Sequence, residues 1–286
     1  MSHVFDDRIC ELGEGPLWHP ERRQLFWFDI LGRKLLSRDG GRPMEWSFDD
    51  MASAAGWLDS DHLLVASESA LWVMDLASGA RDRVTGLEAE NPLTRSNDGR
   101  ADPFGGFWIG TMGKKAEPGL GTIWRYYRGE LRPLFPGITI PNAISFPPDG
   151  RHAYFADTHL GRVWRVALDG SNGWPKGDTE LFLDLGPLGR EPDGAVCDTV
   201  GNLWIAEWGS SRVACYGPDG QFLRDVAVGG RHSSCPAFGG PDLSTLFVTT
   251  ARQGLAPDVL ATEPLNGCVF AAETENYGQA EHRVIL

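Results

Sequence analysis

Carboxylate and carboxamide side chains recur at one point of a repeated phrase in this chain. Glu14 opens Glu14-Gly15-Pro16-Leu17-Trp18, Asn97 opens Asn97-Asp98-Gly99-Arg100, Asn142 opens Asn142-Ala143-Ile144-Ser145-Phe146 and Asp193 opens Asp193-Gly194-Ala195-Val196-Cys197. Two further copies begin at Ala54-Ala55-Gly56-Trp57-Leu58 and Cys235-Pro236-Ala237-Phe238, where Ala54 or Ala55, and Cys235, take the same place. Oxygen donors without imidazole or thiolate are the ligand set of a hard divalent cation such as Ca²⁺, Mg²⁺ or Mn²⁺. Glu14, Asn142 and Asp193 are therefore the expected metal ligands, with water or substrate filling other positions. Gly13 and Gly15 flank Glu14 and let backbone approach a bound group. Turn chemistry is the competing explanation for Asn and Asp, as in Pro148-Asp149-Gly150 and Pro218-Asp219-Gly220. Pro192-Asp193-Gly194 is the same tripeptide in another setting, ahead of an apolar run, and there a functional role is favoured.

Arg95, in Arg95-Ser96-Asn97-Asp98-Gly99-Arg100, adds a planar fork able to hold a carboxylate, phosphate or polyol oxygen. A salt bridge to an acid is its structural alternative. The segment from Gly113 to Gly121 carries Lys114, Lys115 and Glu117, long side chains able to overhang a site, or simply to be solvated. The seven histidines show no H-x-H or H-E-x-x-H spacing, so a histidine-bound zinc site is unsupported. There is no G-x-S-x-G elbow and no Walker P-loop, which sets aside serine hydrolases and nucleotide hydrolases.

The elements that must bring these residues together are short strands. Each copy of the phrase is followed by a second apolar run, such as Leu25-Phe26-Trp27-Phe28, Phe107-Trp108-Ile109-Gly110 or Leu203-Trp204-Ile205-Ala206, and then by a third such as Arg162-Val163-Trp164-Arg165. Turns such as Pro148-Asp149-Gly150 and Val200-Gly201-Asn202 separate the paired runs. Six copies at a period of about 40 to 50 residues, each of about four strands, predict an all-β six-bladed β-propeller with four-stranded antiparallel blades. A pair of β-sandwiches would not require copies of one phrase. Residues 1–286 are expected to form a single propeller domain whose first strands line a central channel, so that the phrase openings converge. Val4 to Cys10 or Arg283 to Leu286 would supply the closing outer strand. The recurring tryptophans, among them Trp18, Trp27, Trp108, Trp124, Trp164 and Trp204, fit blade-to-blade packing.

Composition narrows the partners. With 26 Lys and Arg against 39 Asp and Glu the formal net charge is -13, and no basic stretch stands out, so neither nucleic acid nor a membrane surface is an expected partner. No apolar run approaches the roughly 20 residues that cross a bilayer, and the first thirty residues lack a signal-peptide pattern, so a soluble, cytoplasmic protein is expected. Five scattered cysteines without a C-x-x-C pair predict neither disulfides nor a zinc-thiolate site. Oligomeric state is open, a monomer being compatible with the sequence.

The phrases Leu12-Gly13-Glu14-Gly15-Pro16-Leu17-Trp18, Arg95-Ser96-Asn97-Asp98-Gly99-Arg100, Ile109-Gly110-Thr111-Met112, Pro141-Asn142-Ala143, Pro192-Asp193-Gly194 and Phe238-Gly239-Gly240-Pro241-Asp242-Leu243-Ser244-Thr245-Leu246 occur in that order. In this the chain resembles the gluconolactonase, regucalcin and senescence-marker-protein family of six-bladed propellers, over nearly its whole length. The resemblance implies hydrolysis of a sugar lactone with one divalent metal on Glu14, Asn142 and Asp193. It implies substrate contacts from Arg95, Asn97 and, on the variable loop, Glu117. Ca²⁺ is the ion first expected from the ligand type, with Zn²⁺, Mn²⁺, Mg²⁺ or Fe²⁺ as competitors. Asp193 would also serve as general base for water attacking the lactone carbonyl. The chain departs from the family pattern at Ser234-Cys235-Pro236 and Lys114-Lys115, which leaves the sugar open: neutral, acidic or sulfonated. The alternatives are another metal-dependent esterase or phosphotriesterase on the same scaffold, or a non-catalytic calcium-binding propeller.

Overall fold

Period-two apolar runs punctuated by Gly turns build six four-stranded antiparallel sheets, in a computed structural model that describes residues 2–286. The innermost strands of the sheets are Gly13–His19, Ala52–Trp57, Thr94–Ala101, Pro141–Ser145, Glu191–Cys197 and His232–Gly239, defining blades 1 to 6. Each inner strand packs against the next, and that of blade 6 against that of blade 1, so the sheets form a closed ring. This is the expected six-bladed β-propeller.

The second strand of each blade is buried on both faces because the neighbouring blades cover it. Phe26 and Phe28 of blade 1 share a core with Leu63 and Val65 of blade 2, and Tyr154 and Ala156 of blade 4 share one with Leu203 and Ile205 of blade 5. Trp27, Trp108 and Trp204 are fully buried in such interblade cores. Each large apolar side chain buried this way contributes roughly 1.5–3 kcal/mol, so the blades stabilise one another. The hairpin turns are as their residues require: Gly150 and Gly201 have φ of 61° and 87°. All five cysteines are free and buried.

The ring is closed by the N-terminal strand His3–Asp6, which pairs with Val269–Glu273 as the outer strand of blade 6. Buried Asp6 ties this strand to blade 1. It pairs with Arg38 at 3.1 Å and with Arg8 at 2.9 Å, and Arg8 in turn donates to the carbonyls of Ser37 and Met44. Residues 283–286 form no strand. The Val284 N–H donates to the carbonyl of Trp57 and that of Ile285 to Gly105, so the C-terminal segment crosses the far ends of blades 2 and 3. Glu281 of the same segment pairs with Arg100 inside the channel. No helix among the described residues is long and apolar enough to cross a membrane.

Because Asp6 is fully buried while its two arginines are partly exposed, Asp6→Ala leaves two guanidiniums without their partner. The expected loss is about 2–3 kcal/mol in chemical denaturation. A loss below about 0.5 kcal/mol would show that this cluster does not fasten the ring.

Candidate active site

Strand register defines one level of the channel. Gly13, Ala52, Ser96, Pro141, Pro192 and Ser233 pair with Asp29, Ser67, Thr111, Asp157, Glu207 and Thr250, the matching ends of the second strands. The residues that follow are Glu14, Ser53, Asn97, Asn142, Asp193 and Ser234. The openings of blades 2 and 6 are therefore Ser53 and Ser234, rather than Ala54 or Ala55 and Cys235. Interstrand bulges, which sequence spacing does not reveal, set this register. The Ser53 hydroxyl donates to the Asn97 carbonyl at 2.6 Å and that of Ser234 to the Gly13 carbonyl at 2.5 Å, so both bind neighbouring blades together.

Every inner strand bulges at this level, which re-aims side chains and bends the chain. Gly15 has φ of 53°, and a Cβ there would lie 2.2 Å from the Ser53 carbonyl oxygen. A Cβ on Gly194 would lie 2.2 Å from Cys235 Sγ. Ala143, after Asn142, adopts a left-handed φ of 54° that costs a non-glycine residue on the order of 1 kcal/mol. Two aspartates hold the approach to these bulges. Asp29 accepts the N–H groups of Glu11, Leu12 and Gly32, and Asp157 accepts those of Thr139, Ile140 and His159.

A hydrogen-bond relay orients the amides across blades 3 to 5. Arg95 Nη1 donates to Asn97 Oδ1 at 2.8 Å, and Asn97 Nδ2 donates to Asn142 Oδ1 at 2.9 Å and to the Pro141 carbonyl at 3.1 Å. Asn142 Nδ2 then donates to Thr158 Oγ1 at 2.8 Å, and that hydroxyl donates to the Pro192 carbonyl at 2.6 Å. Only one orientation of each carboxamide satisfies this chain of donors and acceptors. The orientation of the Asn142 oxygen is thus fixed by its neighbours.

Glu14, Arg95, Asn97, Asn142 and Asp193 line one cavity of about 620 Å³, within the range of small-molecule sites. The Glu14 carboxylate accepts only the Gly15 N–H, and that of Asp193 accepts no hydrogen bond from the described residues. Burial, then repulsion from Asp98, pushes Glu14 up to about 8. Burial, then the charges of Glu14 and Asp98, pushes Asp193 well above the carboxylate range. Asp98, pushed up to about 6 mainly by burial, accepts the Ile144 N–H at 2.8 Å. Burial also lowers Arg95 to about 10. Two buried carboxylates lining one cavity with an oriented amide oxygen have the chemistry of a site for a divalent cation.

The structure thus gathers Glu14, Arg95, Asn97, Asn142 and Asp193 into one site. Lys114 and Lys115 reach its wall, with Lys114 paired to Glu68. Glu117 stands off the cavity lining, and its carboxylate turns back to accept the Lys115 N–H at 3.0 Å. Several lining residues escape a reading of the phrase openings, Thr158, Glu191 and His232 among them. Thr158 follows a second strand, whereas Glu191 and His232 lie on inner strands two residues before Asp193 and Ser234, a spacing that could have revealed them.

A family model described as the SMP-30/gluconolactonase/LRE-like region matches residues 12–252. The chain is 38% identical to an L-arabinolactonase of Azospirillum brasilense over 99% of this chain and 95% of that protein. It is 33% identical to a 6-deoxy-6-sulfogluconolactonase of Pseudomonas putida over 94% of each. Among solved structures, a calcium-binding protein, regucalcin, from Agrobacterium tumefaciens superposes with a TM-score of 0.98 at 40% identity, covering 100% of this chain and 98% of that one. With its closed ring of six blades and a family match spanning most of its length, the chain belongs to the SMP-30/gluconolactonase/LRE-like family.

Proposed function

We propose that this protein hydrolyses a sugar lactone to the corresponding sugar acid, using one divalent cation held by Glu14, Asn142 and Asp193. The observation that carries this reading is the pair of buried carboxylates without a hydrogen-bonded counter-charge, lining one cavity with an amide oxygen that a relay holds in place. The lactonase names of the Azospirillum and Pseudomonas relatives support the substrate class. The description of the Agrobacterium protein as calcium-binding supports the cation. Oxygen ligands favour Ca²⁺, and rising affinity along the first-row metals makes Zn²⁺, Mn²⁺ and Fe²⁺ competitors, with Mg²⁺ the other hard ion.

When bound, the cation would supply Lewis-acid polarisation of the lactone carbonyl and stabilise the oxyanion that develops on it. Arg95 spends Nη1 on Asn97 and on the Ser96 carbonyl, leaving its other N–H groups for substrate oxygens. Asn97 keeps the Asn142 oxygen in place and lines the cavity where the sugar would bind. Asp193 takes a proton from water as the water oxygen bonds to the carbonyl carbon. It then returns the proton to the ring oxygen as the carbon–oxygen bond of the ester breaks, so lactone and water become one hydroxy acid. Leu12, Met112, Ile140 and Trp208 supply the apolar part of the wall. Glu117 would reach substrate only after its loop turns toward the cavity.

Two predictions follow from this chemistry. Asp193→Asn keeps the shape of the side chain but removes the base and one ligand charge. It should lower kcat by about a thousandfold or more, with weakened cation binding in calorimetry. Near-normal kcat would remove Asp193 from both roles. The second concerns pH. With Glu14 raised from 4.5 to about 8 in the folded chain, the unfolded chain loses that proton first. The Glu14 contribution to the stability of the chelated protein therefore falls as pH rises from about 4.5 and levels off near 8. Asp193 adds a slope of the same sign. Melting curves in chelator should show Tm dropping by several degrees from pH 5 to pH 8, a slope that Glu14→Gln or a saturating cation reduces. A flat or rising Tm in the wild type would contradict the electrostatics.

A further inference from the structure

Along a strand, residues two apart face the same way, so the cavity has a second level above the proposed ligands. Two residues before Glu14, Asn97, Asn142, Asp193 and Ser234 stand Leu12, Arg95, Ile140, Glu191 and His232, and all five line the cavity. We infer that Glu191 and His232 are specificity-determining contacts: hydrogen-bond acceptors that select an uncharged polyhydroxy ring and disfavour one carrying an anionic substituent. This names the substrate class of the proposed lactonase and rests on that reading of the site.

His232 Nδ1 lies 3.0 Å from the carbonyl oxygen of Gln253. A carbonyl only accepts, so Nδ1 carries the proton and Nε2 of the neutral ring is an acceptor. The ring stacks on Trp208, with centroids 4.1 Å apart and planes at 22°, and burial keeps its pKa below the ordinary range. The carboxylate of Glu191 makes no ion pair or hydrogen bond with the described residues. Its neighbour Arg190 is directed to Glu207 and Ser210 instead. Of the lysines on the wall, Lys114 is paired with Glu68, while Lys115, exposed as Glu191 is, lies on the loop between strands two and three of blade 3.

The level is therefore polarised. Blade 3 stands opposite blade 6 in a six-bladed ring, so the donor Arg95 lies across the cavity from the blade that carries His232, with Glu191 on the adjoining blade 5 and apolar Leu12 and Ile140 in blades 1 and 4. A lactone carbonyl and ring oxygen accept hydrogen bonds only and suit the Arg95 side. Hydroxyl groups can donate to Glu191 and His232, whereas a carboxylate, sulfonate or phosphate there would meet a like charge.

The test uses the full-length protein saturated with Ca²⁺ and a ring that cannot be hydrolysed. A 1,5-anhydroalditol and its C6 carboxylate are titrated by calorimetry, while hydrolysis of the corresponding neutral and anionic lactones is followed in parallel. The wild type should bind the neutral ring about tenfold tighter or more, the worth of one hydrogen bond to a charged group. Glu191→Gln should bring the ratio to within about threefold by strengthening the anion, and Glu191→Lys should reverse it. His232→Phe, which keeps the stack on Trp208, should weaken the neutral ring about tenfold, with His232→Gln recovering part of the loss. Equal binding of both rings, a ratio unmoved by Glu191→Gln, or no binding of the neutral ring would each overturn the assignment. A binding preference without turnover of any lactone would sink the lactonase reading and leave the assignment standing; turnover without a preference would do the reverse.

Discussion

Glu14 and Asp193 place two carboxylates in one buried space, and no side chain within hydrogen-bonding distance neutralises either. Arg95 attracts both, but its own hydrogen bonds go to Ser96 and Asn97. Isolated buried charge is costly, so the pair must either hold protons or share a cation. A fold that only needed a filled channel would place small residues here, as blades 2 and 6 do with Ser53 and Ser234. The acids thus work against stability unless they bind something, and the rest of the frame resists the resulting repulsion.

That resistance is distributed over several blades. Closure by His3–Asp6 and the Asp6 cluster keeps the ring from opening between blades 6 and 1, where the first and last strands pair. The Asp29 and Asp157 clamps fix the backbone just before Glu14 and Asn142, and the bulges turn those residues inward. The relay from Arg95 to Pro192 then joins blades 3, 4 and 5 through side chains that belong to the site itself. Binding and folding are consequently coupled: what orients the Asn142 oxygen also links the blades.

Much of this was legible in the sequence, for physical reasons. Strands and their turns depend on local patterns, such as Leu25-Phe26-Trp27-Phe28 alternating with Gly turns, so all six inner, second and third strands could be placed by repetition. Glu14, Asn97, Asn142 and Asp193 emerged because repeats on a ring converge. Features set by pairing between distant segments were not legible. A bulge moved the blade 2 and blade 6 positions to Ser53 and Ser234. Asp98 carries no assigned role in the sequence reading, yet it is buried and accepts the Ile144 N–H. Thr158 lies beyond a second strand, and the loop carrying Glu117 has no periodic pattern to fix its direction. The C-terminal segment, one of two candidates for the closing strand, instead brings Glu281 to Arg100.

The central claim is that a cation on Glu14, Asn142 and Asp193 makes this channel a lactonase. The most direct measurement follows aldonolactone hydrolysis near neutral pH in chelated protein, before and after separate addition of Ca²⁺, Mg²⁺, Mn²⁺, Zn²⁺ and Fe²⁺, with spontaneous hydrolysis subtracted. The account predicts that chelation abolishes turnover and that at least one of these ions restores it for one or a few lactones. Turnover that survives complete chelation, or none above the spontaneous rate with any ion, would contradict it.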